Sequence, residues 1–181
     1  QIPGIMVDYV VQATEKECCW QTEGVYYEPA FSGQIKKPLD QLPVLDLSPR
    51  KVICRRCAEE LAPGSICNLG VGIPADVASI VAEEGQLDKI TITAEAGGVG
   101  GVPAALPNFG SNYNAQAIMR HNDMFDFIDG GGLDITVLGL AEADSEGNLN
   151  VSKFGNRLSG PGGFIDITQS AKKVVFAGTF M

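Results

Sequence analysis

The chain has 181 residues, enough for one domain with a sizeable core, and 45% of them are hydrophobic, an ordinary share for a globular protein. Thirteen Lys and Arg stand against 22 Asp and Glu, a formal charge of -9, which disfavours non-specific binding to nucleic acid or to an anionic membrane. No apolar run approaches bilayer-spanning length and the opening residues lack the pattern of a signal peptide, so a cytoplasmic enzyme is expected.

Met6 to Val11, rich in Val and Tyr, predicts a strand, and residues 13–47 are polar, aromatic and proline-punctuated, so residues 1–47 are expected to be an extended connector. Ser48-Pro49 predicts a helix start, with Ser48 as N-cap. Ile53, Cys57 and Leu61 then give an apolar stripe that ends at Pro63-Gly64. Ser65 to Leu69 predicts a strand, and Gly70-Val-Gly-Ile-Pro74 turns it into a helix carrying Val77, Ile80 and Val81 on one face until Gly85. A strand at Ile90 to Thr93 completes a strand-helix-strand unit, which implies a parallel sheet with a right-handed crossover.

Ala115 to Phe127 predicts a helix, Asp134 to Leu140 a buried strand, and Asp144 to Asn148 a turn before a short strand at Leu149 to Val151. A glycine cluster at Gly155 and Gly160 to Gly163 then precedes a final strand within Lys173 to Met181. Residues 48–181 are thus expected to form a three-layer α/β domain with a largely parallel sheet. Its carboxyl-terminal end is expected to be missing, because the last strand stops where a turn should begin. Gln1 is no initiator, so a piece of a longer protein is expected.

The five cysteines, Cys18, Cys19, Cys54, Cys57 and Cys67, lack the spacing of a secreted disulfide framework and are expected to be reduced. Cys54 and Cys57 have a metal-like spacing, but no second such pair follows and the one histidine, His121, is distant in sequence. Four ligands for a structural zinc are not there, and Cys57 reads as helix packing. Asp123, Asp126, Asp129 and Asp134 lack the alternate-residue spacing of a calcium loop, so no metal is expected. His121 beside Asp123 or Asp126 has no Gly-x-Ser-x-Gly elbow to supply a nucleophile, and Glu83 and Glu84 read as solvent-facing. Gly70-x-Gly-x-Pro74 has the outline of an anion-binding turn, or of a tight turn with no ligand, but lacks the dinucleotide fingerprint and any Walker lysine.

Glu95 stands out. It follows the β-branched run Ile90 to Thr93 and opens the glycine-rich turn through Gly97, Gly98, Gly100 and Gly101. That is the carboxyl end of a strand, where open α/β sheets bind ligands, although a solvated turn glutamate would have the same sequence.

Four ordered segments carry a family resemblance: Glu95-Ala-Gly-Gly-Val-Gly-Gly101-Val-Pro103, Phe127-Ile-Asp-Gly-Gly-Gly-Leu-Asp134, Gly147-Asn-Leu-Asn-Val-Ser152 and Gly160-Pro-Gly-Gly-Phe-Ile-Asp166. Together they resemble the carboxyl-terminal half of family I coenzyme A transferases, above all the single-chain acetate, propionate and acetoacetate enzymes. The resemblance implies that Glu95 is the nucleophile, passing through an acyl-glutamyl anhydride and a glutamyl-CoA thioester in ping-pong fashion. It implies backbone donors for the oxyanion at Gly162 and Gly163, and a CoA pocket shaped by Gly70, Gly72, Gly97, Gly98, Gly100 and Gly101. An ordinary glutamate pKa would keep the nucleophile ionised. Coenzyme A is then substrate and covalent intermediate, with no permanently bound cofactor. The partners implied are acyl-CoA, a short-chain carboxylate such as acetate or acetoacetate, further copies of the chain, and a missing amino-terminal half.

Lys153 and Arg157 are candidate partners for anionic groups. The alternatives on a related sheet are a sugar-phosphate isomerase or deaminase, with phosphate held at the Gly70 turn. A truncated half that binds CoA or its partner half without chemistry is the third reading.

Overall fold

The computed structural model describes residues 2–179. Within them Met6 to Val11 forms no strand: a 3-10 turn covers Gly4–Met6, and Tyr9, Val10 and Val11 are about nine-tenths exposed (90%, 90% and 88%). A strand needs a neighbour to take its backbone hydrogen bonds, and among the described residues this segment pairs with none. The following stretch is irregular but docked. Phe31 packs on Tyr113 with ring centroids 4.6 Å apart, and Ala30 and Leu42 are buried in the main core. Asn114 clasps Lys37 from both sides, accepting from its N–H and donating to its carbonyl at 2.7 Å each.

Ser48 Oγ accepts from the Lys51 N–H (3.3 Å) and caps helix α1, Pro49–Ala58, as expected of a serine before a helix-starting proline. The helix stops short of Pro63: tighter bonds from Glu60 N–H to Cys57 and Leu61 N–H to Ala58 close its last turn, which still buries Leu61. Strand β1, Ile66–Leu69, leads through the glycine turn and a 3-10 turn at Pro74–Asp76 into α2, Val77–Glu83, whose Val77, Ile80 and Val81 are buried. Strand β2, Thr91–Thr93, follows, then β3 at Gly98–Val99, β4 at Val102–Pro103, β5 at Asn112–Tyr113 and β6 at Ala117–Ile118. Helix α3 spans His121–Asp129 and strand β7 Ile135–Gly139. The hairpins β8, Glu142–Ala143, with β9, Leu149–Asn150, and β10, Lys153–Phe154, with β11, Arg157–Leu158, come next. Helix α4, Phe164–Ser170, and strand β12, Val174–Ala177, end the described fold. Gly178 and Thr179 lie beyond the strand, and the last two residues of the expected one, Phe180 and Met181, lie outside the described residues.

The main sheet has the order β12-β7-β1-β2-β3-β6. Its first four strands are parallel and the two short ones antiparallel. Alternation along the strands splits the core in two. Cys67, Leu69, Ile135 and Val137 pack with α1 and α2, whereas Ile66 and Leu138 pack with Met124 and Ile128 of α3 and Ile167 of α4. Helices therefore cover both faces, and the domain is a three-layer α/β fold with a mostly parallel sheet.

Two expectations fail locally. Residues 115–120 are not helical, because Gln116 and Met119 donate their N–H groups to Val99 and Gly97 at 2.8 Å, extending the sheet through β6 before α3 can start at His121. Helix α4 lies where no element was expected. Its sequence, Phe-Ile-Asp-Ile-Thr-Gln-Ser, has the β-branched content of a strand, and burial of Ile167 against α3 overrides that propensity.

Candidate functional site

The chain leaves β1 toward β2 on one side and later places β7, then β12, on the other side of β1. The order therefore reverses between β1 and β7, and ligands of open α/β sheets bind at the carboxyl ends of the strands at such a point. A cavity of about 820 Å³ opens there. Its wall joins the Gly70 to Pro74 turn after β1, Glu95 after β2, Gly139 to Ala141 after β7, and Gly178 after β12. Phe154 and Arg157 of the second hairpin and the Ser159 to Phe164 loop complete it. Segments from 70 to 178 in sequence thus meet around one carboxylate.

Glu95 is half-buried, on the wall of this cavity, and its carboxylate makes no hydrogen bond or ion pair among the described residues. A Cβ built on Gly163 would stand 3.1 Å from Glu95 Oε2 and 2.7 Å from Cζ of Phe125, so carboxylate, loop and α3 ring are in close register. Burial pushes the Glu95 carboxyl above the usual glutamate range, and the nearby His121 charge partly opposes this. The expectation of an ordinary pKa is corrected accordingly: the site keeps its carboxylate poorly solvated. Gly162 and Gly163 line the cavity, and neither N–H has an acceptor within the described backbone.

The other expected pocket glycines divide. Gly72 is on the wall with open space beside it, and Gly70 is on the wall too, but its N–H is used on Val137 O (2.9 Å). Gly97, Gly98, Gly100 and Gly101 stand off the wall: Gly97 is in the turn from β2 to β3, Gly98 is in β3, and Gly100 and Gly101 link β3 to β4. Gly97 and Gly100 give their N–H groups to Ala94 and Ile92, and a side chain at Gly97 or Gly101 would collide with the backbone of Met119 or Tyr113. These two positions also have positive φ, 114° and 71°, which glycine adopts without strain.

His121 is exposed, and its ring lies 5.3 Å from that of Phe125. Asp123 is held by Arg120 through two 2.7 Å bonds, and among the described residues His121 makes no hydrogen bond to Asp123 or Asp126. Asp134 accepts from Ile66 N–H (2.9 Å) and Lys172 (2.7 Å), an anchor for the start of β1. Among the described residues no group of acidic, histidine or cysteine side chains could hold a metal. Cys54 and Cys57 are buried, free and pushed up in pKa by that burial, Cys54 to about 11, which suits packing. Glu83 and Glu84 are exposed, as read from sequence, and Glu83 also takes Lys51 (2.8 Å) and Arg55 (3.3 Å) from α1. Sequence reasoning did not single out Phe109, Phe154 and Phe164 on the wall. They lie outside any periodic segment, and only the switch-point rule applied to β7 points toward Leu140.

Residues 51–179 match the family model for coenzyme A transferase. This chain belongs to the coenzyme A transferase family. It is 64% identical over 185 residues to caffeate CoA-transferase of Acetobacterium woodii, covering 99% of this chain and 35% of the relative. It is 37% identical over 179 residues to acetate CoA-transferase YdiF of Escherichia coli K12, covering 99% and 33%. Among solved structures, the acyl-CoA transferase YdiF of Escherichia coli O157:H7 in a thioester complex with CoA superposes with a TM-score of 0.73. The match is 37% identical over 87% of this chain and 30% of that one. The chain spans about a third of the length of these coenzyme A transferases.

Proposed function

We propose that this chain carries the nucleophile of a CoA-transferase and that Glu95 is that nucleophile. The observation that carries the reading is a desolvated carboxylate, without a partner among the described residues, facing a cavity beside two backbone N–H groups that are unbonded among those residues. A carboxylate with no partner to neutralise it attacks a thioester carbonyl more readily than a salt-bridged one, because no ion pair has to be broken first. That YdiF was crystallised as a thioester complex with CoA supports a covalent course.

In the proposed sequence, a carboxylate oxygen of Glu95 adds to the acyl carbon of acyl-CoA. The tetrahedral oxyanion takes hydrogen bonds from Gly162 and Gly163, and its collapse expels the CoA thiolate and leaves an acyl-glutamyl anhydride. The thiolate adds to the glutamyl carbonyl and the original acid leaves as its carboxylate, giving glutamyl-CoA. An incoming carboxylate repeats the two steps in reverse, so no proton, metal or redox equivalent is consumed. A glutamate serves both halves because carboxylate and thiolate are each a competent nucleophile and leaving group at neutral pH.

The acid accepted by this protein has an apolar body in this reading. Phe109 shares the cavity wall with Glu95, and a Cβ on its neighbour Gly110 would make an ordinary contact with Ala96, 3.5 Å from its Cβ. The 109–110 segment therefore flanks the reacting carboxylate. Together with the 64% identity to a caffeate enzyme, this favours an arylpropenoic acid over acetate or acetoacetate. Function in the cytoplasm and assembly with the rest of a longer chain and with further copies belong to the same proposal.

Intact-mass analysis of the full-length protein incubated with acyl-CoA tests it. A CoA adduct on a Glu95 peptide, discharged by caffeate faster than by acetate, is the expected result. An adduct on another residue, or none, would sink the assignment of Glu95; faster discharge by acetate would sink the acyl preference.

A further inference from the structure

The cavity wall carries two ionisable side chains, Glu95 and Arg157. Arg157 opens β11 directly across from Phe154 of β10, and the other cross-strand pair is Lys153 with Leu158. Partners that sit opposite each other in a ladder share one face. Phe154 and Arg157 are both on the cavity wall, whereas Lys153 and Leu158 are not. The two are joined by the two-residue turn Gly155-Asn156, in which Gly155 has φ 58°, a tight hairpin turn that glycine permits.

The base of this hairpin is fastened. Ser159 and Gly160 both donate to Ser152 O (2.8 and 3.0 Å), and Asn150 Oδ1 accepts from Ser152 and Lys153 N–H (3.1 and 3.2 Å). The tip therefore holds a fixed place at the rim. Yet Phe154 is 51% exposed, and among the described residues Arg157 takes part in no ion pair.

A half-exposed ring paired with an unsatisfied guanidinium suits a ligand that offers an aromatic face and an anion together. The acid substrate is a poor match. Its reacting carboxyl is used at Glu95, and a monocarboxylate such as acetate or caffeate has no second charge to offer Arg157. Arg157 thus serves a part of the ligand remote from the reacting carbon. Coenzyme A has its thiol at one end and an adenine ring with phosphates at the other.

Accepting the preceding assignment of the cavity to CoA, we propose that Phe154 and Arg157 form the subsite for its nucleotide end. Phe154 stacks on the adenine ring and Arg157 pairs with a phosphate. The subsite supplies uniform binding energy away from the chemistry, and discriminates acyl-CoA from thioesters that lack the nucleotide.

Two measurements on the full-length protein test this. The first is the ratio of kcat/KM for an acyl-CoA to that for the matching acyl-pantetheine. Arg157→Gln and Phe154→Ala are each expected to shrink that ratio by about tenfold or more, the scale of one charge-assisted phosphate contact or one base stack. An equal loss with both thioesters, or a rise only in the KM of the acceptor acid, would overturn the subsite. The second is calorimetric titration with adenosine 3′,5′-bisphosphate, which needs no chemistry at Glu95. Binding to the native protein that weakens about tenfold in Arg157→Gln supports the subsite, on the same scale. No binding to the native protein, or equal binding to both, overturns it even where Glu95 forms its adduct. Conversely, weakened binding with no Glu95 adduct retains the subsite and rejects the nucleophile.

Discussion

Glu95 and Gly163 stand so close that a methyl group on the glycine would press on the carboxylate: a Cβ on Gly163 would sit 3.1 Å from Glu95 Oε2 and 2.7 Å from Phe125 Cζ. The backbone there, φ -78° and ψ 5°, is one an alanine adopts freely, so the constraint is space. Gly163→Ala is expected to keep the far-ultraviolet circular dichroism of the parent, with a modest drop in melting temperature as the Phe125 ring shifts. Its transfer rate should drop by about 100-fold, the scale of a misplacement near 1 Å at a reacting group. A rate within twofold of the parent would show that the carboxylate is not held against this loop in the reaction.

Shortening the nucleophile tests the same geometry from the other side. Glu95→Asp preserves the charge and withdraws the carboxylate by one methylene, from a wall whose loop and strand ends are fixed by the sheet. The expected loss in kcat/KM is again about 100-fold or more, with a CoA adduct that forms slowly rather than not at all. Single-turnover mass spectrometry separates this from Glu95→Gln, which should form none.

The raised pKa of Glu95 has consequences for activity and for stability, with opposite signs. Attack requires the carboxylate, so the acid limb of kcat/KM should lie above the usual glutamate range, and His121→Gln should move it higher by removing the opposing charge. For stability, a carboxyl whose folded pKa exceeds its unfolded one holds its proton more tightly when folded. Stability is then lost as the pH rises from the unfolded value through the folded one. Glu95→Gln should therefore melt at a higher temperature than the parent at pH 7, with the difference vanishing below the usual glutamate range. Equal melting temperatures at pH 7 would argue against a desolvated carboxylate.

How far the sequence reveals this arrangement depends on whether the information is local. The Ser48 cap, the α2 stripe of Val77, Ile80 and Val81, and the buried run of β7 are written in residue type and spacing, and each lies where expected. Glu95 was legible for the same reason, as a carboxylate at the end of a β-branched run. The β6 strand and helix α4 were not, because each is decided by a partner distant in the chain: the edge of β3 for Ala117 and Ile118, the flank of α3 for Ile167. The glycines after Glu95 misled in an instructive way. Their spacing announces a special backbone, but a glycine required by the close approach of Met119 O looks the same in sequence as one facing a ligand. Phe109 reaches the wall only through tertiary placement of its loop, which no periodicity encodes.

The amino-terminal stretch is fastened to this domain at Asn114. Asn114 has φ 60°, in the left-handed region that asparagine tolerates better than most residues, and its amide closes two 2.7 Å bonds onto the Lys37 backbone. That junction holds Phe31 against Tyr113, and Lys37 Nζ lies 5.0 Å over the Tyr113 ring. Asn114→Ala removes both bonds and puts a Cβ-bearing residue with no compensating amide at that φ. A loss of about 2–4 kcal/mol is expected, the sum of one strained residue and two modest hydrogen bonds. Asn114→Gly removes the bonds but relieves the backbone, so it should recover about 1 kcal/mol of that loss. Urea unfolding of the three proteins decides the matter. The order parent, glycine, alanine is required, because a glycine variant less stable than the alanine one would mean that backbone strain at residue 114 contributes nothing.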